Sequence, residues 1–393
     1  MISAAAAHTE QHSTRMYYLD NLKTALTCLV VAHHASQGYT TIDTGWAVQQ
    51  TNLPEINDRL IGWFLSVDNA FFMALFFMIS AYFIPRSLAS KPVPAYLWDR
   101  VKKLGLPIVV FTLCIFPVTG FLLYGRGMTF VDFLVRRYLP VPGGDINLGH
   151  TWFLFVLLLF TGLYILFTKL QRQPKNSSLK PHRQPENAPC LNNLQILLFA
   201  LSLTLVTFVV RISFQPGYWI VLHAFEPARI LTYLALFCFG ILAYENQWFE
   251  RLPVSVGVLW GIVSVVVILL APIIILFLLG GYVIWAKGFT LHSLIVSAWE
   301  TFLCVGLCVS LPILFRQKLN RTNKLLKMAA KNSFGVYLLH PLIIIPIEAA
   351  IINLPLHPML KFLFTTVISI VLCYLLCCSY SMIKRWLLKS TLK

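Results

Sequence analysis

Apolar residues gather along the chain into ten runs, near 21–40, 61–84, 104–124, 151–169, 194–212, 228–244, 254–279, 289–315, 333–352 and 360–383. Each is close to the ~20 residues that a helix needs to cross the hydrocarbon core of a bilayer. Within them the apolar positions follow one another without alternation, which excludes a membrane β-barrel. The pattern predicts an all-α, polytopic integral membrane protein of about ten transmembrane helices. Residues 1–16 are polar and lack an apolar core, so no cleaved secretory leader is expected.

Composition supports this reading: 58% of residues are hydrophobic, 12% are charged and mean hydropathy is +0.74. The net charge of +16 would suggest nucleic acid if it were spread evenly. It is not. With the N-terminus inside, 22 Lys and Arg residues fall in inner segments and 7 in outer ones. The positive-inside rule then puts both termini in the cytoplasm and accounts for the basic balance without a nucleic-acid partner. Eight of the nine cysteines lie in apolar runs, and Cys304/Cys308 and Cys373/Cys377 have helical i,i+4 spacing. They read as packing residues, neither a disulfide framework nor a zinc site.

A single membrane domain is expected over 21–384, between a cytoplasmic segment 1–20 and a basic cytoplasmic tail 385–393. Two longer polar insertions interrupt it. The outer one, 125–150, contains "MTFVDFLVRRYLP", a candidate surface helix with Arg136 and Arg137 on its polar side, and then the Pro/Gly-rich "PVPGGDINLGH". The inner one, 170–193, has the composition of a flexible linker.

Candidate chemistry begins in "YLDNLKTALTCLVVAHHASQGY". At 100° per residue, His34 falls about 20° from Lys23, Asp20 lies within about 40° of the same line, and His33 points about 100° away. Eleven residues of helix rise about 16 Å, so His34 reaches roughly the midplane when Lys23 sits at the cytoplasmic boundary. A polar group at that depth has to face protein or a water-filled cavity. Asp68 and Asn69 sit near the outer third of the second run. Arg100 and Lys103, one turn apart at the cytoplasmic side, have the charge and spacing to clamp an anionic phosphate, or simply mark topology. His150 and Trp152 open the fourth run at the outer interface, where Trp is also a common belt residue. His340 precedes Pro341 inside the ninth run, so a kink and a freed backbone carbonyl are expected there. Glu226, Arg229 and Arg211 are candidates for an outer charged rim, and Glu348 for a cavity wall or an internal pair.

Taken together, these segments resemble the membrane acyltransferase-3 family. Lys23-x10-His34 is similar to its R/K-x10-H motif, and "NAFFMALFFMISAYFIPRSL", "DRVKKLGLP", "GHTWFLFVLLLF" and "SFGVYLLHPLI" follow in the family's order over nearly the whole chain. The nearest branch is the stand-alone one related to glucan succinyl and acetyl transferases. The resemblance implies transfer of an acyl group, acetyl or succinyl, from cytoplasmic acyl-CoA to a carbohydrate or glycan hydroxyl on the outer side of a bacterial inner membrane. It makes His34 the essential histidine, Lys23 its basic partner, and Arg100 with Lys103 the R-x-x-R pair associated with coenzyme A. Lys103 departs from that pattern, keeping the charge but losing bidentate geometry. The expected site is thus His34, Lys23 and Asp20 for catalysis, with Arg100, Lys103, His150, Trp152, Asp68, Asn69 and His340 for substrate. Acyl-CoA is a co-substrate, and no cofactor or metal is expected. The imidazole would serve as general base or as acyl carrier. A transporter or flippase of a small polar or lipid-linked solute is the rival reading, since ten spans with midplane histidines suit it too.

Overall fold

The structure, a computed structural model, describes residues 15–42, 44–139, 146–171, 190–278 and 287–390. The inner linker at 172–189 and the Pro/Gly-rich outer stretch at 140–145 lie outside them, as do most of the N-terminal segment and the last three residues. Ten long helices coincide with the ten predicted runs: α1 (Tyr17–Gln37), α2 (Glu55–Tyr82), α3 (Val93–Tyr124), α4 (Gly149–Leu170), α5 (Asn193–Ser213), α6 (Pro227–Glu245), α7 (Val254–Leu278), α8 (Leu291–Lys318), α9 (Lys324–Ile351) and α10 (Pro358–Ser390). Among the described residues, eight of them are long and apolar enough to cross a membrane by length and composition, all but α1 and α7.

The position of α1 explains its polarity. It packs against α2, α8, α9 and α10, so helices rather than lipid surround Asn21, Thr27, His33 and Ser36, all of them buried. A helix that carries this many polar groups through a bilayer is stable only where protein covers it. At the Lys23 end, the Asn21 amide donates to the carbonyls of Leu319 (2.7 Å) and Arg321 (2.9 Å), which ties the start of α1 to the turn between α8 and α9.

Two wide turns of π-helix interrupt α3, at Val101–Gly105 and Phe111–Ile115. Each is followed two residues later by a proline, Pro107 and Pro117. A helical proline has no N–H for the ladder, and its ring collides with the carbonyl four residues earlier; widening the preceding turn accommodates both defects. The short surface helix after α3 is present, with Arg136 and Arg137 exposed and Phe133 and Tyr138 turned inward.

The expected outer rim is corrected. Arg211 of α5, Arg229 of α6, Glu226 at the start of α6 and Glu300 of α8 form an internal ion network. Glu300 accepts from both Arg211 and Arg229, the latter at 2.9 Å, and Arg229 also pairs with Glu226. Arg211 and Glu226 are buried. Each residue taken alone resembles an interfacial charge, and the pairing joins three helices that are distant in sequence. Removing one partner of a buried pair strands the other charge at a cost of about 3–5 kcal/mol. Glu300→Ala, which leaves two arginines facing each other, is expected to lower the unfolding temperature clearly in thermal melts of purified protein, and Glu300→Gln to lower it less. A melt unchanged by Glu300→Ala would show that the network contributes nothing to stability.

Candidate active site

His34 sits three residues before the end of α1, at Gln37. Its Nδ1 lies 2.9 Å from the Val30 carbonyl one turn earlier. A carbonyl can only accept, so Nδ1 carries a proton, and in the neutral ring Nε2 keeps its lone pair. Its side chain is half-buried, not sealed.

The surrounding groups come from distant parts of the chain. The imidazole of His340, on α9, is 4.7 Å from that of His34 between ring centres, and the indole of Trp46, in the loop after α1, is 5.3 Å away. His340 in turn lies 5.1 Å from His150 at the start of α4. Three imidazoles from three helices thus form a contiguous row. The freed carbonyl expected from Pro341 is that of Tyr337, four residues before it. His340 takes it up, donating from Nδ1 at 2.7 Å. The missing helical N–H of proline therefore fixes the tautomer of the adjacent histidine and leaves its Nε2 a buried lone pair without a hydrogen-bond partner. The helix runs on through Pro341 and Pro346 to Ile351. The Tyr337 hydroxyl donates to the His150 carbonyl, so one tyrosine holds both neighbouring histidines.

Backbone geometry places His150. Gly149 has φ +47°, and a Cβ there would come within 2.7 Å of the Phe116 ring, which packs edge-on to the His150 imidazole at 5.7 Å. Just before it, the Leu148 N–H donates to the Leu222 carbonyl (3.0 Å), part of a turn in which Val221, Leu222 and His223 all have positive φ. Three consecutive side-chain-bearing residues in the left-handed region store strain of about 1 kcal/mol or more each.

On the side of the row away from Lys23, Trp46 Nε1 donates to Glu348 Oε2 at 2.6 Å. The other oxygen of this buried carboxylate has no hydrogen-bond partner and lies where a Cβ on residue 38 would be, 2.5 Å from it. A side chain at position 38 would have to displace the Glu348 carboxylate, so the close approach favours glycine there.

The other predicted residues do not converge on His34. Lys23 pairs with Asp20 at 3.2 Å, Asp20 also accepts from Arg15 Nε at 2.7 Å, and the Lys23 ammonium lies over the Phe83 ring at 4.7 Å. This group is about 16 Å of helix rise from His34. Arg100 donates to the Tyr96 hydroxyl at 2.9 Å, Lys103 lies 5.8 Å over the Phe334 ring, and both Arg100 and Lys23 interact electrostatically with Lys103. Three cations thus share the Lys23 end. Asp68 faces His33 (3.6 Å to Nδ1), in the direction that the helical spacing gave for His33. Asn69 borders a cavity of about 10 Å3 beside Arg229 and Glu300, room for about one water. Trp152 packs among Trp219 (5.4 Å), Tyr233 (5.6 Å) and Phe77 (6.3 Å). Among the described residues, no group of metal ligands comes together. Trp46 and Tyr337 were not picked out from the sequence. The Tyr-x-x-His-Pro spacing was a usable signal for Tyr337, and a tryptophan in an irregular loop offered none.

The architecture and the imidazole row define a polytopic membrane bundle with a polar cluster of side chains inside it. The acyltransferase domain family matches residues 16–378, and the chain belongs to that family. Glucans biosynthesis protein C from Salmonella schwarzengrund, Salmonella agona and Salmonella enteritidis is similar to it, each 27% identical over 240 residues. The alignments cover 58% of this chain and 58% of each relative, so the chain spans little more than half the length of the curated relatives it matches. No solved structure matches the chain.

The tight contact at Gly38 gives a double-mutant test. Gly38→Ala is expected to destabilise by about 1–3 kcal/mol, as overpacking does. In Glu348→Ala the same substitution should cost much less, giving a coupling above about 0.5 kcal/mol in unfolding measurements. Simple additivity would mean that the two groups do not touch.

Proposed function

We propose that the chain is a membrane O-acyltransferase that moves an acyl group, acetyl or succinyl, from acyl-CoA to a hydroxyl of a carbohydrate acceptor. The observation that carries this reading is the state of His34: a half-buried imidazole with Nδ1–H held by a carbonyl and Nε2 left as a base, deep in a bundle with a basic end. The relatives' name, glucans biosynthesis protein C, supports a glucan-type acceptor.

In this mechanism acyl-CoA enters from the cytoplasm at the Lys23 end. Arg100, Lys103 and Lys23 attract the donor's phosphates, and the pantetheine arm carries the thioester inward. Lys23 and Asp20 therefore belong to the donor end and do not touch the reacting atoms. The acceptor hydroxyl gives its proton to His34 Nε2 as its oxygen attacks the thioester carbonyl. The C–S bond then breaks, and the departing thiolate recovers the proton from the imidazolium. Alternatively, Nε2 attacks the thioester, the C–S bond breaks and the CoA thiolate leaves with the Nδ1 proton; the acceptor oxygen then attacks the acyl-imidazole, the C–N bond breaks and the hydroxyl proton returns to the imidazole. His340 and His150 extend the polar row along which the acceptor is oriented. Acyl-CoA is consumed as a co-substrate, and neither a cofactor nor a metal takes part. The protein sits in the inner membrane with both termini in the cytoplasm. Residues 21–384 act as one domain between the short flanks 1–20 and 385–393.

Reconstituted protein given acyl-CoA and a glucan oligosaccharide should form an ester detectable by mass spectrometry. His34→Ala should reduce its formation about a hundredfold or more with the melting temperature preserved, in keeping with loss of a general base. Near-normal transfer by well-folded His34→Ala protein would rule the mechanism out. Arg100→Ala combined with Lys103→Ala should raise the donor KM about tenfold with little change in kcat. An unchanged KM would leave these residues as topology signals alone.

A further inference from the structure

At the end of the bundle opposite Lys23, a cleft of about 400 Å3 opens between the loop after α1 and the turn joining α9 to α10. The volume falls within the ~300–1,000 Å3 usual for small-molecule sites. Gln49, Gln50, Thr51, Asn353 and Lys361 supply its polar wall, and Leu354 and Pro355 an apolar one. Lys361 is buried, and its ammonium donates to Gln50 Oε1 (3.1 Å) and the Ile352 carbonyl (2.6 Å). An ammonium has three donors, and these neutral oxygens take two. Among the described residues it forms no ion pair, and the Thr51 hydroxyl and the Asn353 amide have no side-chain hydrogen bond. An ammonium kept buried on two neutral oxygens is a costly arrangement unless a ligand uses its third donor, and the exposed Thr51 hydroxyl and Asn353 amide stand beside it.

The cleft is joined to His34 through one layer of structure. The Gln50 N–H donates to the Gly38 carbonyl (2.9 Å), and Gly38 is one turn, about 6 Å, beyond His34. Ile352, on the opposite wall, donates its N–H to the Glu348 carbonyl (2.8 Å). Glu348 holds Trp46, whose indole contacts the His34 imidazole. Gly38 and Glu348 thus connect the lining residues Gln50 and Ile352 to the layer that holds Trp46 against the imidazole.

We propose that this cleft binds the carbohydrate acceptor and presents one of its hydroxyls past Trp46 toward His34. The inference rests on the acyltransferase reading and adds where the acceptor sits. Vicinal sugar hydroxyls each donate and accept, which suits a wall of primary amides, a threonine and one spare ammonium donor. The apolar wall suits the C–H faces of a sugar ring. The donor's phosphates do not fit here, because the cleft offers a single cation already engaged with Gln50 and Ile352.

The test is calorimetric binding of a glucan oligosaccharide to the full chain in nanodiscs, without acyl-CoA. Wild-type protein should bind it. Thr51→Trp and Asn353→Trp, at exposed loop positions where a large side chain fills the cleft without entering the core, should each weaken binding at least tenfold. Overturning results would be no binding by wild-type protein, unchanged affinity in both tryptophan variants, or binding of glycerol phosphate in place of the oligosaccharide. Unchanged affinity in both tryptophan variants alongside normal ester formation would overturn this proposal while the acyltransferase reading stands, whereas loss of binding by wild-type protein would count against both.

Discussion

An imidazole inside a membrane bundle has to find its partners in protein or in a polar cavity, because hydrocarbon offers none. His34 does this with the Val30 carbonyl, and the consequence is chemical as much as structural. Once Nδ1 holds the proton, Nε2 can only accept. His340 repeats the device with a carbonyl that Pro341 has removed from the helical ladder. Two histidines from different helices thus hold their lone pairs ready without a carboxylate beside either one. Much of the remaining architecture serves to keep lipid and bulk water away from this pair: α1 at the centre, α2, α8, α9 and α10 around it, and Trp46 as a cover.

The distribution of charge follows the same logic. Cations that would be costly beside His34 are held about 16 Å away, where Lys23, Arg100 and Lys103 lie close together. Four of the charged groups that enter the bundle pair in place: Arg211, Arg229, Glu226 and Glu300. At the far end, among the described residues, Glu348 and Lys361 have no ionic partner: the carboxylate is held by the Trp46 indole and the ammonium by neutral oxygens beside an open cleft. The protein is therefore polarised along its axis, with a cluster of cations at one end, neutral bases in the middle and a hydrogen-bonding surface at the other.

Hydropathy made the helices legible, since a span has to be apolar over nearly its whole length whatever its neighbours are. Helical periodicity was sufficient to set Lys23 and His34 on one line and to turn His33 toward another partner, found to be Asp68. What periodicity could not convey was which helices meet. His34, His150 and His340 are separated by more than a hundred residues at each step, and each alone was only a polar residue in an apolar run. The same limit made an internal ion network resemble an outer rim. Trp46 lay beyond reach for another reason: an irregular loop has no period, so nothing along the chain says which way its side chains face. The carbonyl freed by Pro341 was foreseen from local chemistry, whereas its use by the adjacent His340 depended on a side-chain orientation that spacing does not give.

Donor and acceptor are proposed to approach the same imidazole from opposite sides of the membrane. Sealed proteoliposomes test this directly, with radiolabelled acyl-CoA supplied only at the face bearing Lys23 and a glucan oligosaccharide only at the other. The account predicts labelled ester in the compartment that never contained acyl-CoA, and none when the two substrates are exchanged between faces. Transfer that occurs only when both substrates share a compartment would contradict it.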